Sequence, residues 1–282
     1  MLLAGVGGLL RTARSRAPRP RVAAGTLRTK ERYGEHPRQV GVWWLPPGDP
    51  GSGLLPTVVL VHGGYWRAAW DLTLEDAIAA DLAARGQLVW NVDYRPSTEP
   101  WPATLTDVAL AFDHTATGRY ADRVDRDRLA VVGHSAGGQL ALWLASRGRI
   151  PTGGPGSDPA LPPPSLVIAQ APVAGLAEGA LRELGGGAVA ALLGGLPGDV
   201  PERYAAADPS ALLPTGVPTV LVHADGDDRV PISQSEGYVR AAVAAGDDSR
   251  LLRVSGGHFE HLDPRSVAGA ALREALVEQG VR

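Results

Sequence analysis

The stretch Arg128–Trp143, RLAVVGHSAGGQLALW, decides the fold. An apolar run of strand length passes into a helix-like run through Gly133-His134-Ser135-Ala136-Gly137, a G-x-S-x-G pattern. A strand that turns this sharply into a helix forces the serine into a strained conformation. Glycines on both flanks remove the Cβ atoms that would collide. Ser135 is then presented at the mouth of a helix, where developing negative charge is favoured. In a chain with 36 glycines the pattern alone is a modest signal. Its place between a strand and a helix is what gives it weight.

A serine hydroxyl is a weak nucleophile at neutral pH and needs a base, which in turn needs an orienting acid. Around a G-x-S-x-G turn the partners follow in the chain order serine, acid, histidine. Past Ser135, the segment VLVHADGDDRVP at 220–231 offers three aspartates just beyond a strand. Asp227 is preferred because it lies four residues past His223 and three before Val230. Asp228 is the next choice, and Asp225 and Asp228 otherwise read as turn residues that cap local N–H groups. For the base only His258 and His261 come late enough. His258 sits in SGGHF at 255–259, on a glycine-rich loop that can fold back over the serine. His261 lies nearer the last helix and reads as a surface or cap residue.

Upstream, His62-Gly63-Gly64-Tyr65-Trp66 follows the apolar run Thr57–Val61. Its glycines let the main chain turn and aim N–H groups inward, as the negative oxygen of a tetrahedral intermediate requires. The backbone groups of Gly64, Tyr65 and Ala136 are the expected oxyanion donors. His62 is expected to hold the loop and not to act as the base. Trp66 is expected against the substrate.

Strand-like and helix-like runs alternate from about residue 39 to the end. Strands are expected at 40–45, 57–62, 88–92, 128–133, 166–171, 219–223 and 250–254. Helices are expected at 73–85, 103–117, 136–147, 233–245 and 264–279. Such repetition predicts an α/β fold with a mostly parallel central sheet flanked by helices. Residues 172–217 break the rhythm and read as a small helical, lid-like insertion. One domain is expected over 28–282, preceded by a disordered extension at 1–27.

Composition narrows the chemistry further. A net charge of −3, from 27 basic and 30 acidic residues, argues against a nucleic-acid partner. Zero cysteines exclude disulfides and thiolate catalysis. No histidine pair has helical zinc-ligand spacing, so neither a metal nor another cofactor is expected. In the first residues the apolar run precedes its arginines, the reverse of a secretory signal, and it is too short to span a bilayer. A cytoplasmic protein without stable membrane insertion is expected. A homodimer is compatible with the sequence.

Taken together, HGGYW at 62–66, VDYRP at 92–96, GHSAGGQLALW at 133–143 and GGHFEHLDP at 256–264 resemble the α/β-hydrolase superfamily. The resemblance covers about residues 30–280. It points to the esterase/lipase-like branch that includes kynurenine formamidases and feruloyl- or acetyl-xylan-esterase-like enzymes. It implies a serine hydrolase that cleaves carboxylic ester or small amide bonds of a small molecule through an acyl-enzyme. The alternative is an arylformamidase. A peptidase or a non-catalytic ligand-binding member fits less well, because 282 residues leave little room for a gating domain and the Ser–Asp–His order is intact.

Overall fold

Val58 and Leu60 face one side of a sheet while Val59 and Val61 face the other, and all four are buried. A strand apolar at every position must have helices on both of its faces. The computed structural model describes residues 18–49 and 51–282. Its strands are β1 (Leu27–Arg32), β2 (Val40–Leu45), β3 (Leu55–Val61), β4 (Leu88–Val92), β5 (Val124–His134), β6 (Leu166–Gln170), β7 (Thr219–Ala224) and β8 (Ser249–Val254). They form one sheet in the order β1-β2-β4-β3-β5-β6-β7-β8. Strands β1 and β2 run antiparallel to their neighbours, and every other pairing is parallel.

The helices are α1 (Asp76–Ala84), α2 (Ala103–Asp113), α3 (Ala136–Ala145), α4 (Leu176–Leu181), α5 (Leu184–Leu193), α6 (Pro201–Ala207), α7 (Ser233–Ala244) and α8 (Val267–Glu278). Ile78 and Leu82 of α1, with Leu272 and Leu276 of α8, pack on Val58, Leu60, Val132 and Ile168. On the other face, Leu105 and Phe112 of α2 and Leu140 and Trp143 of α3 pack on Val59, Val61 and Val131. Trp43 and Trp90 stack there with ring centroids 4.4 Å apart. Such a pair adds about 1 kcal/mol beyond the area it buries.

Strand β1 departs from the expected pattern, which began near residue 39. Its sequence, LRTKER, has no apolar stripe and its burial alternates between exposed and intermediate. It is an edge strand held by cross-strand contacts. The Arg28 guanidinium lies 4.1 Å over the Trp44 ring, and Trp43 Nε1–H donates to Glu31 at 2.7 Å. Of the extension expected at 1–27, residues 1–17 lie outside the described residues. Pro18–Arg21 run alongside Asp81 of α1 and Asp263–Arg265.

The segment at 172–217, expected as an insertion, is helical and carries α4, α5 and α6. Gly185, Gly186 and Gly187 all have positive φ, so regular helix in α5 begins only after them. Among the described residues no helix is long and apolar enough to cross a membrane.

Candidate active site

Strand β5 lies between β3 and β6, and its C-terminal end delivers Ser135 to the middle of the sheet edge. Ser135 has φ 57° and ψ −119°, a conformation disfavoured for a residue with a side chain. Its N–H donates to the Gln170 carbonyl at 2.7 Å, anchoring the turn to β6. A Cβ on Gly137 would overlap the Val61 carbonyl, and one on Gly133 would overlap Gly137 itself. The two glycines are therefore steric requirements of the turn.

The loop after β3 is drawn against this turn. A Cβ on Gly63 would stand 2.7 Å from the His134 carbonyl and 3.0 Å from Ser135 Cβ. The loop is held from behind by His62. The His62 Nε2 lies 3.1 Å from Asp93 Oδ1, and its ring stacks on Tyr94 at 4.2 Å. The Tyr94 hydroxyl donates to the His62 carbonyl at 2.8 Å, and Arg38 pairs with Asp93 at 2.8 Å. Asp93 and Tyr94, the centre of the VDYRP run, are thus supports of the loop that sequence reading did not single out. Among the described residues, the backbone N–H groups of Gly64, Tyr65 and Ala136 donate to no protein acceptor. Unclaimed donors beside a buried serine suit a ligand oxygen that becomes negative.

Trp66 departs from its expected role. It is buried in the core, and its Nε1–H donates to Gln139 Oε1 at 3.2 Å. The aromatic left half-buried on this loop is Tyr65, whose ring lies against Gly185 at the start of α5. The neighbouring Arg67 guanidinium donates to the Gly185 carbonyl.

From the far side, His258 Nδ1 meets Asp227 Oδ2 at 2.7 Å. Asp227 Oδ1 accepts from the Arg229 and Val230 N–H groups at 2.8 and 2.9 Å. The turn-capping role expected of Asp225 and Asp228 therefore belongs to Asp227. Asp225 instead pairs with Arg253 on the surface, and Asp228 is exposed beside Arg229. Burial pushes the Asp227 carboxyl up. Hydrogen bonds from His223 and His258, the charge of His258 and the Val230 N–H outweigh that and hold it far below the usual carboxylate range. Ser135 and His258 are both almost fully buried. Their side chains do not hydrogen-bond to each other here, and such contacts commonly tighten only when substrate is bound.

Three more histidines surround this pair. His223 Nε2 lies 3.0 Å from the Val230 carbonyl and 3.4 Å from Asp227 Oδ2, while Nδ1 faces the Ser235 hydroxyl at 2.7 Å. His134 Nε2 lies 3.0 Å from the His258 carbonyl. His261, expected at the surface, is fully buried, and burial with the nearby His258 and His223 lowers it to about 3. His258 and His261 lie on one 3-10 turn, His258–Leu262, where an open loop was expected. Among the described residues no group of acidic and histidine side chains is arranged to hold a metal ion.

A family model described as alpha/beta hydrolase fold matches residues 58–181, which takes in the loop at 62–66 and the Ser135 turn. Esterase LipI of Mycobacterium tuberculosis is 35% identical over 116 residues, 40% of this chain and 35% of that protein. Carboxylesterase NlhH of the same organism is 36% identical over 118 residues, 41% of this chain and 35% of that one. The chain has the α/β-hydrolase fold, and the stretch that matches resembles esterases of that fold. Among solved structures, esterase B of Lactobacillus rhamnosis superposes on this chain with a TM-score of 0.82 at 19% identity, covering 98% of this chain and 92% of that one. That likeness is one of fold. The alignments with LipI and NlhH span about a third of those proteins' length. Asp227 and His258 lie beyond the stretch that the family model matches.

Proposed function

We propose that this α/β-hydrolase is a serine carboxylesterase acting on small-molecule esters, with Ser135 as nucleophile, His258 as base and Asp227 as the orienting acid. The observation that carries the reading is the strained Ser135, on a turn packed against the 62–66 loop whose N–H groups are unclaimed, together with the imidazole of His258 held by the Asp227 carboxylate. His258 Nε2 takes the Ser135 proton as Oγ attacks the ester carbonyl carbon. The carbonyl oxygen becomes negative and accepts from the N–H groups of Gly64 or Tyr65 and of Ala136. The carbon–oxygen bond to the alcohol breaks, and the alcohol leaves with the proton held by His258. Water then gives a proton to His258 and attacks the acyl-enzyme, releasing the acid and restoring Ser135. Asp227 accepts from Nδ1–H throughout, leaving Nε2 free for the transfer.

Ester cleavage is preferred over formamide cleavage because the matched relatives LipI and NlhH bear esterase names. The test compares p-nitrophenyl acetate, feruloyl esters and N-formylkynurenine, with labelling by a fluorophosphonate probe. Wild type should label and should turn over the esters fastest, and Ser135→Ala should do neither. Wild-type-like turnover by Ser135→Ala sinks the assignment. Faster cleavage of the formamide than of any ester moves the reading to an arylformamidase.

A further inference from the structure

His134 occupies the variable position of the G-x-S-x-G turn, where a side chain has no assigned task. It is 2% exposed, and its ring centroid lies 4.6 Å from that of His258. Its Nε2 is 3.0 Å from the backbone carbonyl of His258. A carbonyl only accepts, so the proton of this bond sits on His134 Nε2. Burial, followed by the nearby His258 and His261, holds His134 well below the usual histidine range, so Nδ1 stays unprotonated. That nitrogen has no hydrogen-bond partner in its buried position. It faces Gly63, where an added Cβ would stand 3.2 Å away.

One side chain therefore meets three parts of the site. Its own backbone leads into Ser135, its Nδ1 edge lies on the Gly63 loop and its Nε2–H holds the loop of His258. The last contact joins residues 124 apart in sequence. The base arrives on a short 3-10 turn from the far end of the chain. Asp227 holds its ring from the acid turn, and the bond from His134 adds a tie from the nucleophile turn.

We infer that His134 is a positioning residue that keys the base His258 to the nucleophile Ser135 through the His258 carbonyl. The inference rests on the reading of Ser135 and His258 given above. His134 transfers no proton and touches no substrate. Its effect is on where the His258 imidazole stands when Ser135 attacks, and a misplacement near 1 Å can cost about a hundredfold in rate.

The experiment exploits side-chain reach. The amide nitrogen of a glutamine comes close to where Nε2 of a histidine lies, whereas that of an asparagine comes close to Nδ1. His134→Gln keeps a donor for the His258 carbonyl, and His134→Asn is polar but falls short. Turnover of p-nitrophenyl acetate is measured per site titrated by a fluorophosphonate probe, so that misfolded protein is not counted. His134→Asn should lose about 30-fold or more in kcat with KM nearly unchanged, and His134→Gln should stay within about threefold of wild type. Should the Asn variant not fold, His134→Leu takes its place. Equal losses in the two variants, or none in either, overturn the positioning role. Failure of the wild type to label overturns the Ser135 reading instead.

Discussion

The Tyr65 hydroxyl donates to the Arg229 carbonyl at 2.7 Å, across 164 residues of sequence. Tyr65 belongs to the loop that supplies the proposed oxyanion donors, and Arg229 follows two residues after Asp227. The bond ties the donor loop to the acid turn. Tyr65 holds it from a positive φ of 52°, a conformation that costs a residue with a Cβ some strain. Tyr65→Phe removes the tie while preserving the ring that packs on Gly185. A neutral hydrogen bond of this kind contributes about 1 kcal/mol. Thermal unfolding should move down slightly, and kcat/KM for p-nitrophenyl acetate should fall about fivefold. Unchanged kinetics in the variant would mean that the acid turn and the donor loop are positioned independently.

His223 and His258 converge on the same oxygen of Asp227, at 3.4 and 2.7 Å. Asp227→Asn replaces that acceptor with an amide that can hold Nδ1 in the wrong tautomer. By the logic of such triads, kcat should drop by about 10³- to 10⁴-fold while the fold survives. The stability effect has a definite sign with pH. The carboxyl is depressed in the folded state, so its contribution is present above its unfolded value of about 4 and is lost as the pH falls toward the folded value. Urea unfolding of wild type and variant should differ most near pH 6, and the gap should begin to narrow as the pH falls below about 4. A gap that widens in acid would contradict the depressed carboxyl.

How far this site was legible in the sequence follows from what each residue has to do. The Ser135 turn was readable because sterics dictate its glycines, and those can be seen in sequence. The pairing of Asp227 with His258 was legible because chain order left few alternatives, and the structure brings those two side chains together. His134 and His261 were not, because their burial is created by a loop that returns from the other end of the chain. A histidine at a variable position carries no local signature of that. Trp66 was misread for a related reason. Its neighbours are oxyanion-loop residues, but its ring is turned into the core toward Gln139, a partner 73 residues away. Strand β1 escaped notice because an edge strand is specified by pairing, and Arg28 and Glu31 hold it through Trp44 and Trp43. The inner parallel strands β3, β4, β6 and β7, by contrast, are buried on both faces and mostly apolar, and were legible as continuous runs.

Glu75 poses a problem of stability and not of chemistry. It is 2% exposed, at the end of the 3-10 turn that precedes α1, and Oε1 has no hydrogen-bond partner. Burial, with the neighbouring Asp76, raises its carboxyl from the usual 4.5 to about 8. The folded state therefore binds a proton that the unfolded chain has released over most of that interval. Stability from this group is full below about pH 4.5 and is lost as the pH climbs to about 8. Glu75→Gln keeps the shape and removes the titration. The variant should match or slightly trail wild type at pH 4.5. By pH 8 it should be the more stable protein, by on the order of a few kcal/mol. Thermal unfolding of both proteins at several pH values checks this. Parallel stability curves across that range would show that the Glu75 carboxyl is not raised in the fold.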